Sequence, residues 1–160
     1  MNIKKTANLL LNFAIKRLAE IFGAIISIVG VLLLISLISY SPDDPNFIFP
    51  ENTQIKNLLG FHGSFISDLF FQSVGIIAYL ISFTFIITGI NILKTKEFFL
   101  IIENIFFTIL YCILGALFFD HFYSNIFPLY INGNGGFVGN YLNQTFLNSV
   151  ILINKNLFYY

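Results

Sequence analysis

The sequence predicts an all-α fold, a polytopic bundle of membrane-spanning helices with short interfacial helices in the loops between them. The composition is 57% hydrophobic and only 10% charged, whereas a soluble domain carries about 25% charged residues, which coat its surface. In addition, three apolar runs, at about residues 21–40, 70–93 and 98–119, are each long enough to cross a bilayer, which takes about 20 residues. We therefore predict a membrane protein with three transmembrane helices rather than one soluble domain.

Residues 1–20 form a basic, weakly apolar segment before the first span. A secretory signal peptide would also place lysines before an apolar run, but its apolar core has only about 7–15 residues and a small-residue cleavage site follows. Here the apolar run covers residues 21–40 and no Ala-x-Ala-like site follows it. The sequence therefore predicts a retained basic tail.

The first span ends at a polar turn. Pro42 and Pro45 lack a backbone N–H and restrict the residues before them, so a helix arriving at Tyr40 stops there. Asp43 and Asp44 are costly to place in hydrocarbon, and Tyr40 has the amphipathic ring that prefers the membrane boundary. The chain is therefore predicted to leave the membrane at this turn.

Each span carries a stripe of small residues at helical spacing. Such residues let neighbouring helix backbones approach closely in lipid, so we predict that the bundle packs through these stripes. Their members are Gly23, Ser27 and Gly30 in the first span, Gly75, Ala78, Ser82 and Gly89 in the second, and Thr108, Cys112 and Gly115 in the third.

The loops differ in length and charge. Residues 41–69 contain a turn at residues 57–64 that leads into a short helix merging with the second span. Residues 120–160 contain a glycine-rich turn that opens an interfacial helix, followed by an apolar run, 146–153, that is too short to span. Lysine and arginine are concentrated in the tail and in the short connection after the second span (Lys4, Lys5, Lys16, Arg17, Lys94 and Lys96). By the positive-inside rule these segments face the cytoplasm, and the loops 41–69 and 120–160 face the periplasm.

A set of short motifs occurs in a fixed order along these elements. Its members are Tyr40, Pro42, Asp43, Pro45, Asn57, Gly60, Gly63, Asp68, Gly75, Gly135, Gly136 and Gly139. Over about residues 17–142 this order resembles the N-terminal membrane anchor of the FtsK/SpoIIIE-type DNA translocases of bacterial cell division. Ser64 and Ser67 are mild departures from the family, which often has alanine at both positions.

The resemblance implies a membrane anchor that tethers an ATP-driven DNA pump at the division septum of the bacterial inner membrane for chromosome segregation. The motor, a hexameric ring that uses ATP and Mg²⁺, is absent from this chain, and no catalytic, cofactor-binding or metal-binding residue can be assigned here. The implied partners are the lipid bilayer, other membrane proteins of the division machinery, and further copies of the chain joined through the motor hexamer. The motif residues are interpreted as structural or interaction positions.

A fourth span is expected beyond Tyr160. Three crossings from a cytoplasmic N-terminus leave the chain outside, whereas the implied motor needs cytoplasmic ATP and DNA. The run 146–153 cannot return the chain, because extending it would bring Lys155 into the membrane. The family's anchor also has four spans. We therefore expect residues 1–160 to be a truncated product that ends in a periplasmic loop.

The alternatives to the anchor are a small polytopic transporter or channel subunit, a membrane scaffold unrelated to DNA, and an integral membrane enzyme. A small transporter or channel subunit usually has ionisable groups or broken helices inside its spans, but the span centres are uncharged and Glu103 lies near a span end. A membrane enzyme needs converging acids, bases or metal ligands, whereas His62 and His121 are isolated and Cys112 is the single cysteine. A net charge of zero also argues against direct nucleic-acid binding.

Overall fold

The computed structural model describes residues 3–45, 54–123, 132–147 and 149, and regular structure in this part of the chain is helical throughout. Three helical segments, Asn8–Ile38, Gly60–Thr95 and Phe99–Tyr123, are long and apolar enough to cross a membrane. This confirms the predicted all-α membrane fold. The elements are α1 (Ile3–Ile38), α2 (Gly60–Val74), a 3₁₀ turn (Gly75–Ile77), α3 (Ala78–Thr95), α4 (Phe99–Tyr123), α5 (Gly136–Leu142) and a π-helical segment (Asn143–Leu147).

Helix α1 is much longer than the predicted first span. It begins at Ile3, so most of the segment interpreted as a tail is helical and continuous with the span. Its 36 residues give a length of about 54 Å at 1.5 Å per residue. The segment before the span lacks glycine and proline and is rich in leucine, alanine and lysine, which favour helix. The cytoplasmic location of this segment stays a prediction.

The predicted second span is not one continuous helix, because the chain changes direction at Gly75. The Ser36 Oγ donates to the Gly63 carbonyl at 2.6 Å, and the Tyr79 hydroxyl donates to the Leu37 carbonyl at 3.3 Å. On a straight helix Gly63 and Tyr79 would lie about 24 Å apart, too far for both to contact adjacent residues of α1. Residues 70–74, assigned to the span from sequence, therefore belong to α2, which crosses the end of α1. The predicted turn and short helix before the span correspond to α2.

Helices α1 and α3 pack through the predicted small-residue stripes. A Cβ atom added to Gly23 would lie 2.8 Å from the Gly89 carbonyl oxygen, and one added to Gly30 would lie 2.8 Å from the Ile86 nitrogen. Between them, the Ser27 Oγ donates to the Ile86 carbonyl at 3.4 Å. The two backbones are therefore in close contact, as the stripes predicted.

Helix α4 extends one turn beyond the predicted third span, which ended at residue 119. The helix continues to Tyr123, so Asp120 lies within it instead of starting the loop. Asp120 is only 9% exposed and is accommodated because the Asn143 side-chain amide donates to its Oδ2 at 2.8 Å. In the third stripe, Cys112 is buried and Gly115 faces Ile77.

Two hydrogen bonds between neutral side chains join α3 to α4. The Asn104 amide donates to the Thr88 hydroxyl at 2.8 Å, and the hydroxyls of Thr84 and Tyr111 are also 2.8 Å apart. A buried apolar cluster also joins these two helices to α1 and α2, and consists of Leu33, Leu37, Phe71, Ile77, Ala78, Ile81 and Cys112. It packs the ends of α1 and α2 and the start of α3 against the middle of α4.

An ion-pair cluster marks the opposite end of the α1–α3 pair. The Lys96 ammonium lies 2.6 Å from a Glu20 carboxylate oxygen, and the Arg17 guanidinium lies 2.5 Å from the other. Lys96 itself ends α3 in a left-handed conformation, with φ of 61°. The two segments predicted to be cytoplasmic therefore lie at the same end of the bundle.

Candidate functional site

The predicted motif residues fall into two clusters. The first cluster, here called the α1–α2 junction, contains Tyr40, Pro42, Asp43, Pro45, Asn57, Gly60, Gly63 and Asp68. The second, here called the glycine junction, brings the 3₁₀ turn at Gly75 against the glycine-rich segment that contains Gly135, Gly136 and Gly139. The structure thus unites motif residues that are far apart in the sequence, while their functional roles stay a prediction.

Asp44 ties together the two ends of the loop at the α1–α2 junction. Its side chain is 1% exposed, and its two carboxylate oxygens accept the backbone N–H groups of Lys56 and Asn57, each at 2.8 Å. Hydrogen bonds to a charged acceptor are stronger than those between neutral groups. Asp44 was not among the motif residues singled out from the sequence, because nothing in the local pattern separates it from its neighbour Asp43.

Asp43 has the opposite environment. Its side chain is 73% exposed and forms an ion pair with Lys56 at 2.9 Å. The hydrogen bond to the Asp43 carboxylate, together with its charge, raises the pKa of Lys56 above its ordinary value. An exposed pair of this kind contributes little to stability, so Asp43 and Lys56 are surface groups of the junction.

Asn57 satisfies the carbonyl groups at the end of α1. Its Nδ2 donates to the carbonyl oxygens of Ser36 and Ser39 at 2.9 and 3.3 Å, while its Oδ1 accepts the Leu59 N–H at 3.0 Å. The last carbonyls of a helix have no partner within the helix, and this buried amide supplies one. A Cβ atom on Gly63 would overlap the Asn57 Oδ1, which explains why the motif has glycine there.

Of the two buried serines of α2, Ser64 connects that helix to the turn, whereas Ser67 bonds within the helix. The Ser64 hydroxyl donates to the Pro45 carbonyl at 3.1 Å, and the Ser67 hydroxyl donates to the Gly63 carbonyl at 2.8 Å. Both side chains are at most 1% exposed. The two departures from the family pattern are therefore buried hydroxyl groups with their donors satisfied.

An aromatic series continues the junction toward α3. The Tyr40 hydroxyl donates to the Asp68 Oδ1 at 3.1 Å, and the Tyr40 ring lies 4.9 Å from the Phe71 ring. Phe71 is fully buried and meets Tyr79 edge-on at 5.4 Å. Tyr40, predicted at the membrane boundary, thus packs back onto α2.

The glycine junction is a contact between backbones. Gly75 has a φ of 64°, a region where side chains are strained, and the next N–H, that of Ile76, donates to the Asn134 carbonyl at 3.0 Å. A Cβ atom on Gly75 would overlap that carbonyl group, and one on Gly136 would lie 2.6 Å from the Gly75 nitrogen. Only glycine leaves room for this contact.

The same segment also packs on α4. A Cβ atom on Gly135 or Gly139 would overlap the Ala116 carbonyl oxygen. The predicted interfacial helix after the glycine-rich turn corresponds to α5, with Phe137 and Tyr141 exposed on its outer side. The four motif glycines therefore connect α2, α4 and α5 by close approach.

The buried carboxylates Asp44 and Asp68 accept hydrogen bonds from neighbouring groups. Among the residues that the structure describes, no three or more His, Cys, Asp or Glu side chains are grouped so that they could hold a metal ion. The contacts described above for the motif residues are those of helix ends, tight turns and close packing.

Comparison with known proteins identifies a family. The family described as the 4TM region of DNA translocase FtsK/SpoIIIE matches residues 15–156. No solved structure matches. Relatives include the DNA translocase FtsK of Rickettsia bellii (strain RML369-C), which is 33% identical over 78 residues, 49% of this chain and 10% of the relative.

Two further relatives extend this picture. The DNA translocase FtsK of Rickettsia typhi (strain ATCC VR-144 / Wilmington) is 27% identical over 129 residues, 81% of this chain and 17% of the relative. An uncharacterized protein of Haemophilus influenzae (strain ATCC 51907 / DSM 11121 / KW20 / Rd) is 35% identical over 82 residues, 49% of this chain and 75% of that protein. The chain thus spans less than a fifth of the length of the Rickettsia bellii and Rickettsia typhi translocases. Because the family match covers most of its residues, the chain belongs to the family of FtsK/SpoIIIE-type membrane regions.

Proposed function

We propose that this chain anchors a cytoplasmic, ATP-driven DNA motor to the bacterial inner membrane at the division septum, where the motor moves chromosomal DNA. The observation that supports this most directly is the family match over residues 15–156 in a chain with three helices of membrane-spanning length. In this proposal ATP and Mg²⁺ act in the motor, and the motor assembles as a hexamer. The anchor contributes position and attachment.

The two junctions connect the ends of the helices of the anchor. Asp44, Asn57 and the glycines connect the helix ends through buried hydrogen bonds and backbone contacts. Asp43 and Lys56 remain at the surface, where other membrane proteins of the division machinery would contact the chain. The anchor would thus recruit the motor to the septum through the surface of the α1–α2 junction.

The proposed orientation places the N-terminus in the cytoplasm and both junctions in the periplasm. The ion pair of Lys96 with Glu20 supports it, since the basic segments share one end of the bundle and the positive-inside rule assigns them one side. Alkaline phosphatase fused after Lys56 or after Asn156 should be active, and the same enzyme fused after Lys96 should be inactive. Activity only in the Lys96 fusion would reverse the orientation.

The chain alone is proposed to hydrolyse no ATP and to bind no DNA. Its net charge of zero provides no excess of cations for the phosphate backbone, on which nonspecific binding depends. Purified chain in nanodiscs should show neither ATP hydrolysis nor salt-sensitive duplex binding above that of lipid-only nanodiscs. Either activity would contradict a purely anchoring role.

A replacement experiment tests the anchor directly. The membrane region of an FtsK translocase is exchanged for this chain, and the fluorescently tagged hybrid should concentrate at division septa. An unrelated membrane anchor with the same orientation should leave the motor spread around the membrane. The Gly63→Leu hybrid, at equal expression, should lose septal enrichment because the junction cannot close. A uniform distribution of the unmodified hybrid would refute septal recruitment by this chain.

A further inference from the structure

A groove runs along α1 beside α2, next to the α1–α2 junction. It has a volume of about 560 Å³, within the range of about 300–1,000 Å³ typical of small-ligand sites. Val29 and Leu32 line it from α1, and Ile66 and Leu69 line it from α2. All four of these side chains are at least 40% exposed, so the groove is open to the surroundings of the helices.

The position of the groove relative to the membrane follows from α1. Its lining runs from Val29 to Ser36, which is about 10 Å along a helix, and α1 ends two residues later at Ile38. The groove therefore begins near the membrane boundary and continues into the hydrocarbon of that leaflet. His62 is exposed and also lines the groove. It follows Phe61 in the first turn of α2, close to the boundary.

The lining chemistry decides what can occupy the groove. The Ser36 hydroxyl already donates to the Gly63 carbonyl, and the side chains of Val29, Leu32, Ile66 and Leu69, which line the groove, are hydrocarbon. A bound water needs two to four polar partners, which these walls do not provide. The occupant must therefore be apolar along the wall, with a polar group suited to an imidazole at the His62 end.

A transmembrane helix fits this groove poorly. Helices in lipid associate closely where both present small residues. The small-residue face of α1, formed by Gly23, Ser27 and Gly30, is already in contact with α3, whereas the groove walls carry branched aliphatic side chains. A thin, flexible hydrocarbon chain can follow such walls.

We propose that this groove binds one acyl chain of a phospholipid from the adjacent leaflet, with the phosphate group of that lipid beside His62. The imidazole N–H can donate to a phosphate oxygen. The bound chain would fill the space between α1 and α2, so that lipid completes the packing of the junction on its membrane side. This is a lipid-binding site in addition to the anchoring role.

Native mass spectrometry of the whole chain in mild detergent tests the proposal, with palmitoyl-oleoyl phosphatidylethanolamine as the added lipid. We expect one lipid per chain to bind before any further lipids. Leu32→Trp and Ile66→Trp should fill the groove from either side and weaken that binding by about tenfold, the effect of excluding roughly two methylene groups. Val31→Trp and Phe61→Trp are matched controls, since these side chains are similarly exposed (43% and 42%, against 45% and 40%) but do not line the groove.

A second measurement uses the unmodified chain and so does not depend on the folding of variants. A phosphatidylethanolamine with a photoactivatable group on its acyl chain should crosslink mainly to Val29, Leu32, Ile66 and Leu69. Crosslinks spread evenly over exposed residues of α4, or equal lipid binding by groove variants and controls, would overturn the proposal. A dimer that carries no lipid and is lost in Leu32→Trp would instead assign the groove to a second copy of the chain.

Discussion

Replacing Gly30 by leucine should loosen the contact between α1 and α3. A Cβ atom at this position would lie 2.8 Å from the Ile86 nitrogen and 2.9 Å from the Phe85 Cβ, whereas carbon atoms in contact prefer about 3.5–4.0 Å. The helices would have to separate by about 1 Å, which also lengthens the 3.4 Å hydrogen bond from Ser27 to the Ile86 carbonyl. Overpacking of this kind costs about 1–3 kcal/mol, more than the gain of up to about 1 kcal/mol from replacing a helical glycine.

The thiol of Cys112 provides the assay. It is the single cysteine of the chain and belongs to the same buried cluster as Leu33, so a thiol-reactive fluorescent dye reports opening of the bundle during heating in detergent. Gly30→Leu should lower the midpoint of labelling by several degrees. The control is Val31→Phe, because Val31 is 43% exposed. Leu33 is unsuitable as a control site, because it is only 6% exposed and phenylalanine there would itself overpack the core. Equal midpoints for wild type, Gly30→Leu and the control would refute packing through this stripe.

Two further predictions use the same labelling midpoint. Asp44→Ala removes the acceptor of two backbone N–H groups and should cost about 3 kcal/mol, since each hydrogen bond to a charged group contributes roughly 1.5–3 kcal/mol. Asp43→Ala should change little because its ion pair is exposed; comparable losses in both would mean that the buried carboxylate is not what closes the loop. Gly75→Ala should destabilise more than Gly60→Ala. Both have a φ near 65°, and a side chain there costs about 1–2 kcal/mol, but a Cβ on Gly75 also overlaps Asn134 whereas one on Gly60 has no atom within 4 Å. Equal effects would show that conformational strain alone, without the glycine junction, explains the requirement for glycine.

The sequence alone determined the fold class, the number of apolar spans and the faces through which α1 and α3 pack. These properties follow from composition, run length and the spacing of Gly23, Ser27 and Gly30, because the bilayer imposes a length and an apolar surface on any crossing helix. The order of the motifs was also sufficient to indicate the family, which the comparisons confirmed.

The tertiary structure decided how the helix ends are connected. The second span looks continuous from its hydropathy, yet it breaks at Gly75, because the adjacent Ile76 N–H is satisfied by Asn134, which lies 58 residues further along the chain. Asp43 and Asp44 look alike in sequence, but only the second is buried, where it accepts backbone donors from beyond the loop. The local sequence pattern does not reveal partners that are so distant along the chain. Burial and hydrogen bonding at both junctions depend on segments that come into contact only when the helices pack.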